Sequence, residues 1–386
     1  MAIKVYFEKK NILILGGAGF IGSHLCEHLV KAGGNVICVD NFVSSDVDNI
    51  RALLEYPNFE FVKHDITEDI DYGTLPGLKK FEVEVQGFQE IYNLACPTAP
   101  KDYTKFPIKT AIANSVGVVK SLELAKQYKS RYLLASTSAV YGKPPENGKA
   151  VKEDYYGLLD FLGPRACYNE GKRFAETLVM TYRDTYQLNT SIARIFSTYG
   201  PRMLQQSGRQ VPDFIRSAVK NENVMVAGDE KSLLSFCYVK DVVEGMISLM
   251  ASEISEPINF GSGSPQTLSE VAKKVIEIIN GIIVAKQRDN FPEKIEKMLH
   301  EMIDYALSHF KAEETYMIEF NYHEYQYHKE EHVDFIQRMN SYFSRVVHGN
   351  YELANEILEF LKQWLVRHIE GTDKKYIECF TRNGLT

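Results

Sequence analysis

One stretch, Asn11 to Asp40, constrains this chain more than any other. Ile12–Leu15 is an apolar run long enough for one buried strand. Gly16, Gly19 and Gly22 follow in the pattern G-x-x-G-x-x-G. Ile21–Lys31 has a helical pattern, and a second apolar run, Asn35–Val39, ends on Asp40. Glycines so placed allow a tight turn and let a pyrophosphate approach the backbone at a helix N-terminus. An acid about 20 residues on accepts hydrogen bonds from a ribose 2′-hydroxyl, which favours NAD over NADP. The expectation is a dinucleotide-binding βαβ unit.

The alternation continues. Phe59–Lys63, Glu90–Ala95, Tyr132–Ser136 and Thr190–Phe196 read as strands separated by helix-like segments. Such alternation predicts a Rossmann-like parallel sheet covered by helices on both faces. The ligand crevice then lies at the strand ends, where Asp65, Ala95, Thr137 and Phe196 fall. A chain of 386 residues has room for two domains. The net charge of −7 argues against general nucleic-acid binding. No apolar run approaches the roughly 20 residues of a membrane helix, and the N-terminus lacks a signal-peptide core. The six cysteines are scattered without a C-x-x-C pair, which fits free thiols in a reducing cytoplasm.

Tyr168 and Lys172 are four residues apart and share one helix face. A free tyrosine, with a pKa near 10, is a poor base at pH 7. A nearby ammonium and a positive nicotinamide favour its phenolate, and the lysine also reaches the nicotinamide ribose. Thr137 supplies a hydroxyl that orients a substrate alcohol toward Tyr168.

GGAGFIG, STSAVYG, GPRACYNEGKR, RIFSTYGPRM and FCYVKD resemble the extended short-chain dehydrogenase/reductase superfamily, which includes NAD-dependent nucleotide-sugar epimerases and dehydratases. GPRACYNEGKR and the region from NLACPTAP to PIKTAIAN resemble its UDP-glucuronate decarboxylase branch most closely. The resemblance covers roughly residues 10–280. It implies NAD contacts at Gly16, Gly19, Phe20, Ile21, Gly22, Asp40, Asn41, Asp65, Ile66, Tyr168 and Lys172. It implies catalysis by Thr137, Tyr168 and Lys172 on a UDP-sugar: oxidation at C4, loss of CO2, and reduction again at C4. It also implies a homodimer built partly on the Tyr168 helix, whose opposite face carries Phe174, Leu178 and Tyr182. Four substrate-side positions depart from the family pattern. Ala139 replaces a Glu, Ser197 an Asn, Leu234 a diphosphate-gripping Arg, and Asp213 an Asn. A 4-epimerase therefore stays open as an alternative, as does a non-catalytic NAD- and iron- or O2-binding sensor, or an inactive chimera.

The composition shifts near residue 281, beyond which acidic residues outnumber basic ones and seven of the ten histidines lie. The expected division is 1–280 and 281–386. Pro292–Ile318, Tyr322–Val347 and Tyr351–Ile369 have amphipathic helical patterns, so a helical bundle is expected. His309 with Glu313 and His328 with His332 are pairs four residues apart; His368 sits near a helix end and Asp373 just beyond it. Each pair aims two ligands from one helix face, and a dinuclear metal site would satisfy them, with imidazole suiting iron and zinc alike.

HFKAEE, HKEEH and WLVRHIEGTDKKY resemble the hemerythrin family of O2-binding diiron four-helix proteins, over about 290–378. That resemblance implies iron ligands at His309, Glu313, His328, His332, His368 and Asp373, with Glu313 and Asp373 bridging. The family's first helix, with a further histidine, is not present. His300 does not replace it, because nine residues separate it from His309 and it points to the opposite side of the helix. The fold class expected is an α/β Rossmann-like domain followed by an all-α hemerythrin-like bundle.

Overall fold

The structure is a computed structural model. It describes residues 9–143, 151–204, 207–226, 233–263, 265–287 and 322–347, with separate positions between 299 and 320 and between 353 and 364. The chain divides into two compact units. One comprises Met1–Ser217 with Val224–Ala272, the other Ala218–Asn223 with Lys273–Thr386.

The first unit is a parallel sheet of seven strands. They are β1 (Asn11–Leu15), β2 (Asn35–Asp40), β3 (Phe59–Lys63), β4 (Glu90–Asn93), β5 (Arg131–Thr137), β6 (Thr190–Ile195) and β7 (Ile258–Phe260). Their order across the sheet is β7-β6-β5-β4-β1-β2-β3. The chain starts in the middle at β1, builds outward to β3, then returns to β4 on the other side. Strand order thus reverses between β1 and β4, where a crevice opens at the carboxyl ends.

The helices that cover the sheet include α1 (Phe20–Lys31), α2 (Val118–Tyr128), α3 (Ala166–Tyr186) and α4 (Val239–Ala251). β1 reads NILIL and every residue of it is buried, as expected of a strand covered on both faces. Its side chains alternate between two cores. Ile12 and Ile14, with Val36 and Cys38 of β2, pack against α1 and α4 through Leu25, Leu29, Val243 and Met246. Leu13 and Leu15, with Ile37 and Val39, pack against α2 and α3 through Val118, Leu122, Ala175 and Val179. This is the two-residue period of a strand.

Each strand expected from the sequence is present, with ends moved by a residue or two. β4 stops at Asn93, β6 at Ile195, and β5 extends from Arg131 to Thr137. The edge strand β7 was not anticipated. It has three residues, all only half-buried, and pairs with β6 from Ile258 opposite Ala193 to Phe260 opposite Ile195. No helix among the described residues is long and apolar enough to cross a membrane.

In the second unit the long helix Tyr325–Val347 is continuous. Its Phe335, Met339, Tyr342 and Val346 share an apolar core with Leu299, Ile303, Ala306, Phe310, Leu353 and Ile357. The preceding helix Leu268–Gln287 spans position 281 as one element.

A candidate dinucleotide and tyrosine site

The turn after β1 is built by its glycines. Gly16 has φ +77°, and a Cβ there would lie 2.8 Å from the Ala95 and Leu94 backbone. A Cβ on Gly22 would press on the Gly16 carbonyl and lie 2.8 Å from Gly17 Cα. Gly19 ends the turn in an extended conformation as the residue before α1. The backbone is therefore open to a close ligand at the α1 N-terminus. A cradle that any side chain would fill fits the pyrophosphate of a dinucleotide.

Asp40 ends β2 and is buried. Its Oδ2 accepts from the Ala18 amide at 3.1 Å, and its Oδ1 from the Phe42 amide at 2.9 Å and the Ser45 hydroxyl at 2.7 Å. The carboxylate thus ties the glycine turn to the loop after β2 and keeps acceptor capacity for one further donor. Phe42 takes φ +58° in that loop. Asp65, after β3, accepts from the Thr67 amide and hydroxyl and from Asn41 Nδ2. Burial opposes its ionisation, but the Thr67 and Asn41 bonds and the Lys109 charge outweigh it, so its carboxyl stays below the usual range.

Two adjoining hollows share Gly16, Gly19, Ser44, Leu94 and Cys96 and form one cleft. One is lined by Asp40, Asn41, Asp65 and Ile66. The other is lined by Phe20, Ile21, Gly22, Thr137, Tyr168 and Lys172. Every expected cofactor-binding and catalytic residue of the first unit borders this cleft.

Tyr168 lies in the first turn of α3, with its ring stacked on Tyr103 at 5.3 Å between centroids. Burial and the Cys96 thiol push its hydroxyl up to about 12, while a hydrogen bond with Thr137 and the Arg209 charge pull it back. Thr137 Oγ1 already accepts from the Ala139 amide at 3.2 Å, so its own hydrogen is directed to an outside acceptor such as the phenolate. Lys172 is buried, and its Nζ donates to the Ala135 carbonyl at 2.8 Å.

Sequence reasoning missed Arg202, Arg209 and Cys96, which also line the cleft. Arg209 donates to Thr98 Oγ1 at 2.9 Å, and Arg202 pairs with Glu27 of α1. RIFSTYGPRM carries Arg202, but nothing in the local pattern marks Arg209 as facing the cleft. Of the departing positions, Leu234 lies in the short strand Leu233–Leu234 that pairs with Gln266–Thr267. Asp213 pairs with Arg216 on its own helix at 3.1 Å.

The GDP-mannose 4,6 dehydratase family profile matches residues 13–325. The chain belongs to that family. Among its relatives, UDP-glucuronic acid decarboxylase 4 of Arabidopsis thaliana is 43% identical over 270 residues, which are 70% of this chain and 57% of that protein. UDP-glucuronic acid decarboxylase 6 of the same plant is 40% identical over 291 residues, 75% of this chain and 80% of that protein. The chain therefore spans little more than half the length of the first relative and most of the second. The structure of UDP-glucuronic acid 4-epimerase from Bacillus cereus in complex with NAD superposes with a TM-score of 0.58 at 26% identity, covering 69% of this chain and 83% of that one. The match places this GDP-mannose dehydratase-family chain among enzymes built on the same sheet.

In the second unit, Glu313, His328 and His332 converge, with one ligand atom from each within 4.8 Å of the others. All three are buried. His332 Nε2 lies 3.4 Å and His328 Nε2 3.8 Å from Glu313 Oε2, while His332 Nδ1 lies 2.8 Å from Glu314 Oε1. A buried set of two imidazoles and a carboxylate fits a divalent transition metal, and a carboxylate on the far ring nitrogen is the usual orienting partner of a histidine ligand. His309, His368 and Asp373 lie outside the described residues.

Asp40 carries a prediction. Its carboxylate faces the cleft and would repel a 2′-phosphate, so NAD is expected to bind at least tenfold more tightly than NADP, about 1.4 kcal/mol. Calorimetric titration of both cofactors checks it, and equal or tighter NADP binding contradicts the assignment.

Proposed function

We propose that the first unit is an NAD-dependent nucleotide-sugar enzyme that decarboxylates UDP-glucuronate. The observation that carries this reading is that the buried Thr137, Tyr168 and Lys172 line the same cleft as the glycine turn. The relatives at about 40% identity support the substrate. The cleft would hold NAD along Gly16, Gly19, Gly22, Asp40 and Asp65. When bound, NAD supplies a hydride acceptor that is returned at the end of the cycle.

The chain's own part is proton chemistry and placement. Thr137 orients the sugar 4-hydroxyl, and Tyr168 takes its proton as C4 is oxidised. The 4-keto uronic acid so formed is a β-keto acid; its C–CO2 bond breaks with the electron pair passing into the enolate, and C5 then takes a proton from solvent water, which restores the 4-ketone. Tyr168 then returns its proton as C4 is reduced. Decarboxylation of a β-keto acid proceeds without a strong general acid, so Ala139 in place of Glu leaves this route intact. Leu234 removes a bidentate clamp on the diphosphate; among the described residues, Arg202 and Arg209 bring guanidinium groups to the cleft.

Purified protein given UDP-glucuronate and a sub-stoichiometric amount of NAD is expected to yield UDP-pentose, with loss of CO2 seen by mass spectrometry. A UDP-hexuronate of unchanged mass but inverted C4 would support the epimerase instead. No turnover of UDP-glucuronate, UDP-glucose or UDP-galactose would leave only cofactor binding.

The exposed side chains Phe174 on α3 and Ile108, Ile112 and Val116 nearby support a homodimer through this face. Leu178 and Tyr182 of the expected face instead pack partly into the core. A cytoplasmic setting accords with the free cysteines.

The second unit is read as a hemerythrin-like iron-binding module. Its support is the buried convergence of Glu313, His328 and His332. Those residues, with His309, His368 and Asp373, would hold up to two irons. Bound iron would supply O2 binding.

A further inference from the structure

Helix α3 presents Tyr168, Lys172 and Glu176 at four-residue spacing on one face. Each meets the end of β5. Tyr168 bonds the Thr137 hydroxyl, Lys172 donates to the Ala135 carbonyl, and Glu176 accepts from the Ser136 hydroxyl. Glu176 is buried, and Arg194 of β6 clamps both its oxygens, Nε at 3.0 Å from Oε1 and Nη2 at 2.7 Å from Oε2. Arg194 is itself fixed. Its Nη1 donates to the Tyr141 hydroxyl and the Glu153 carbonyl, each at 2.8 Å. Tyr141 in turn donates to Asn259 Oδ1 on β7 at 2.6 Å. The network joins α3 to three neighbouring strands directly behind the reacting side chains.

We propose that Glu176 is a positioning residue for the Tyr168–Lys172 pair: its carboxylate, one helical turn beyond Lys172, keeps that ammonium charged and seated on the Ala135 carbonyl, and Arg194 sets how much of the carboxylate's charge Lys172 feels. Lys172 is deeply buried, and burial disfavours its charged form. The groups that face it are few. Cys96 approaches from the end of β4, the Ala135 carbonyl from β5, and Tyr168 and Glu176 from its own helix; Arg194 stands behind Glu176, and Arg209 acts on Tyr168. Cys96 and Glu176 are the two that favour the ammonium.

Removing the Glu176 carboxylate takes away an anion that favours the ammonium and leaves Arg194 without its carboxylate partner, which drives Lys172 toward the neutral amine. Removing Arg194 leaves the full carboxylate charge beside Lys172 and holds its proton more firmly. The two halves of one ion pair therefore act on Lys172 with opposite signs. A role confined to bracing the fold moves the lysine in neither direction, or moves it the same way in both variants.

This rests on the reading of Tyr168 and Lys172 as the reacting pair. Its test needs no sugar, so a failed turnover assay and a failed titration are distinguishable. In full-length protein labelled at the lysine ε-carbons, the Lys172 resonance is assigned by its loss in Lys172→Arg and titrated by NMR. In a Cys96→Ala background the neighbouring thiol does not titrate with it. Glu176→Gln is expected to lower the Lys172 midpoint by about one pH unit, a tenfold change in the ammonium-to-amine ratio. Arg194→Gln is expected to raise it, and the double variant to return close to the parent. If Glu176→Gln does not fold by circular dichroism, the other two carry the test: an upward shift in Arg194→Gln that vanishes in the double variant supports the proposal. Shifts of the same sign, or no shift in Arg194→Gln, overturn it.

Discussion

Tyr168→Phe is expected to lower turnover of UDP-glucuronate by on the order of a thousandfold while leaving NAD affinity nearly unchanged. Loss of a general base costs roughly 10²–10⁴ in rate. The substitution removes only the phenol oxygen. The ring keeps its stack on Tyr103, and the glycine turn, Asp40 and Asp65 are untouched. The pH dependence follows from the same site. Burial and Cys96 hold the hydroxyl near 12 without a cofactor, so the phenol is neutral at pH 7. A bound nicotinamide cation and the Lys172 ammonium must bring it down, and the Thr137 hydrogen bond assists. Wild-type kcat/KM is therefore expected to rise with pH on its acid side as Tyr168 loses its proton. Steady-state assays across pH, with calorimetric NAD binding for both proteins, check the prediction. Turnover retained in Tyr168→Phe would remove this residue from the mechanism.

The first unit was legible in the sequence where chemistry and periodicity coincide. The NILIL run, the glycine turn and Asp40 lie within thirty residues, and each is required by local geometry: a fully buried strand, a backbone a Cβ would block, and a carboxylate at a strand end. Tyr168 and Lys172 are one helical turn apart, so their shared face needs no tertiary information. What sequence reading did not find is held together across the fold. Arg209 reaches Thr98, which lies 111 residues earlier, and only the folded loops bring it to the cleft. The Glu176–Arg194 clamp joins a helix to a strand, and although RIFSTYGPRM begins at Arg194, nothing in the chain pairs that residue with Glu176. β7 has three half-buried residues, too few to display alternation, and is defined by pairing with β6. The role of Asp40 was only half visible. Its acceptor oxygens also take the Ala18 and Phe42 amides, so it shapes the glycine turn as well as bordering the cleft.

His332→Ala is expected to reduce bound iron by more than half and to lower the melting temperature of the second unit. The three described donors share one small volume, and His332 stands between two carboxylates, with Nδ1 2.8 Å from Glu314 and Nε2 3.4 Å from Glu313. A proton on Nδ1, given to Glu314, leaves the Nε2 lone pair aimed at the anionic Glu313 side, where a cation reconciles the two. Alanine removes that donor and also frees Glu314 from its orienting role. By the hemerythrin resemblance His309 would serve the iron that lacks a first-helix histidine, so His309→Ala is expected to lower iron content less. The stability effect follows from mass action. A metal that binds only the folded unit, at a thousand times its dissociation constant, contributes about 4.1 kcal/mol. For a unit of roughly 100 residues, each kcal/mol moves the midpoint by about 4–8 °C. Elemental analysis of wild type and both variants, with melting curves before and after chelation, measures both effects. Wild-type protein that carries no iron, takes up none from ferrous ion and melts identically with and without chelator would show that these buried donors do not hold a metal.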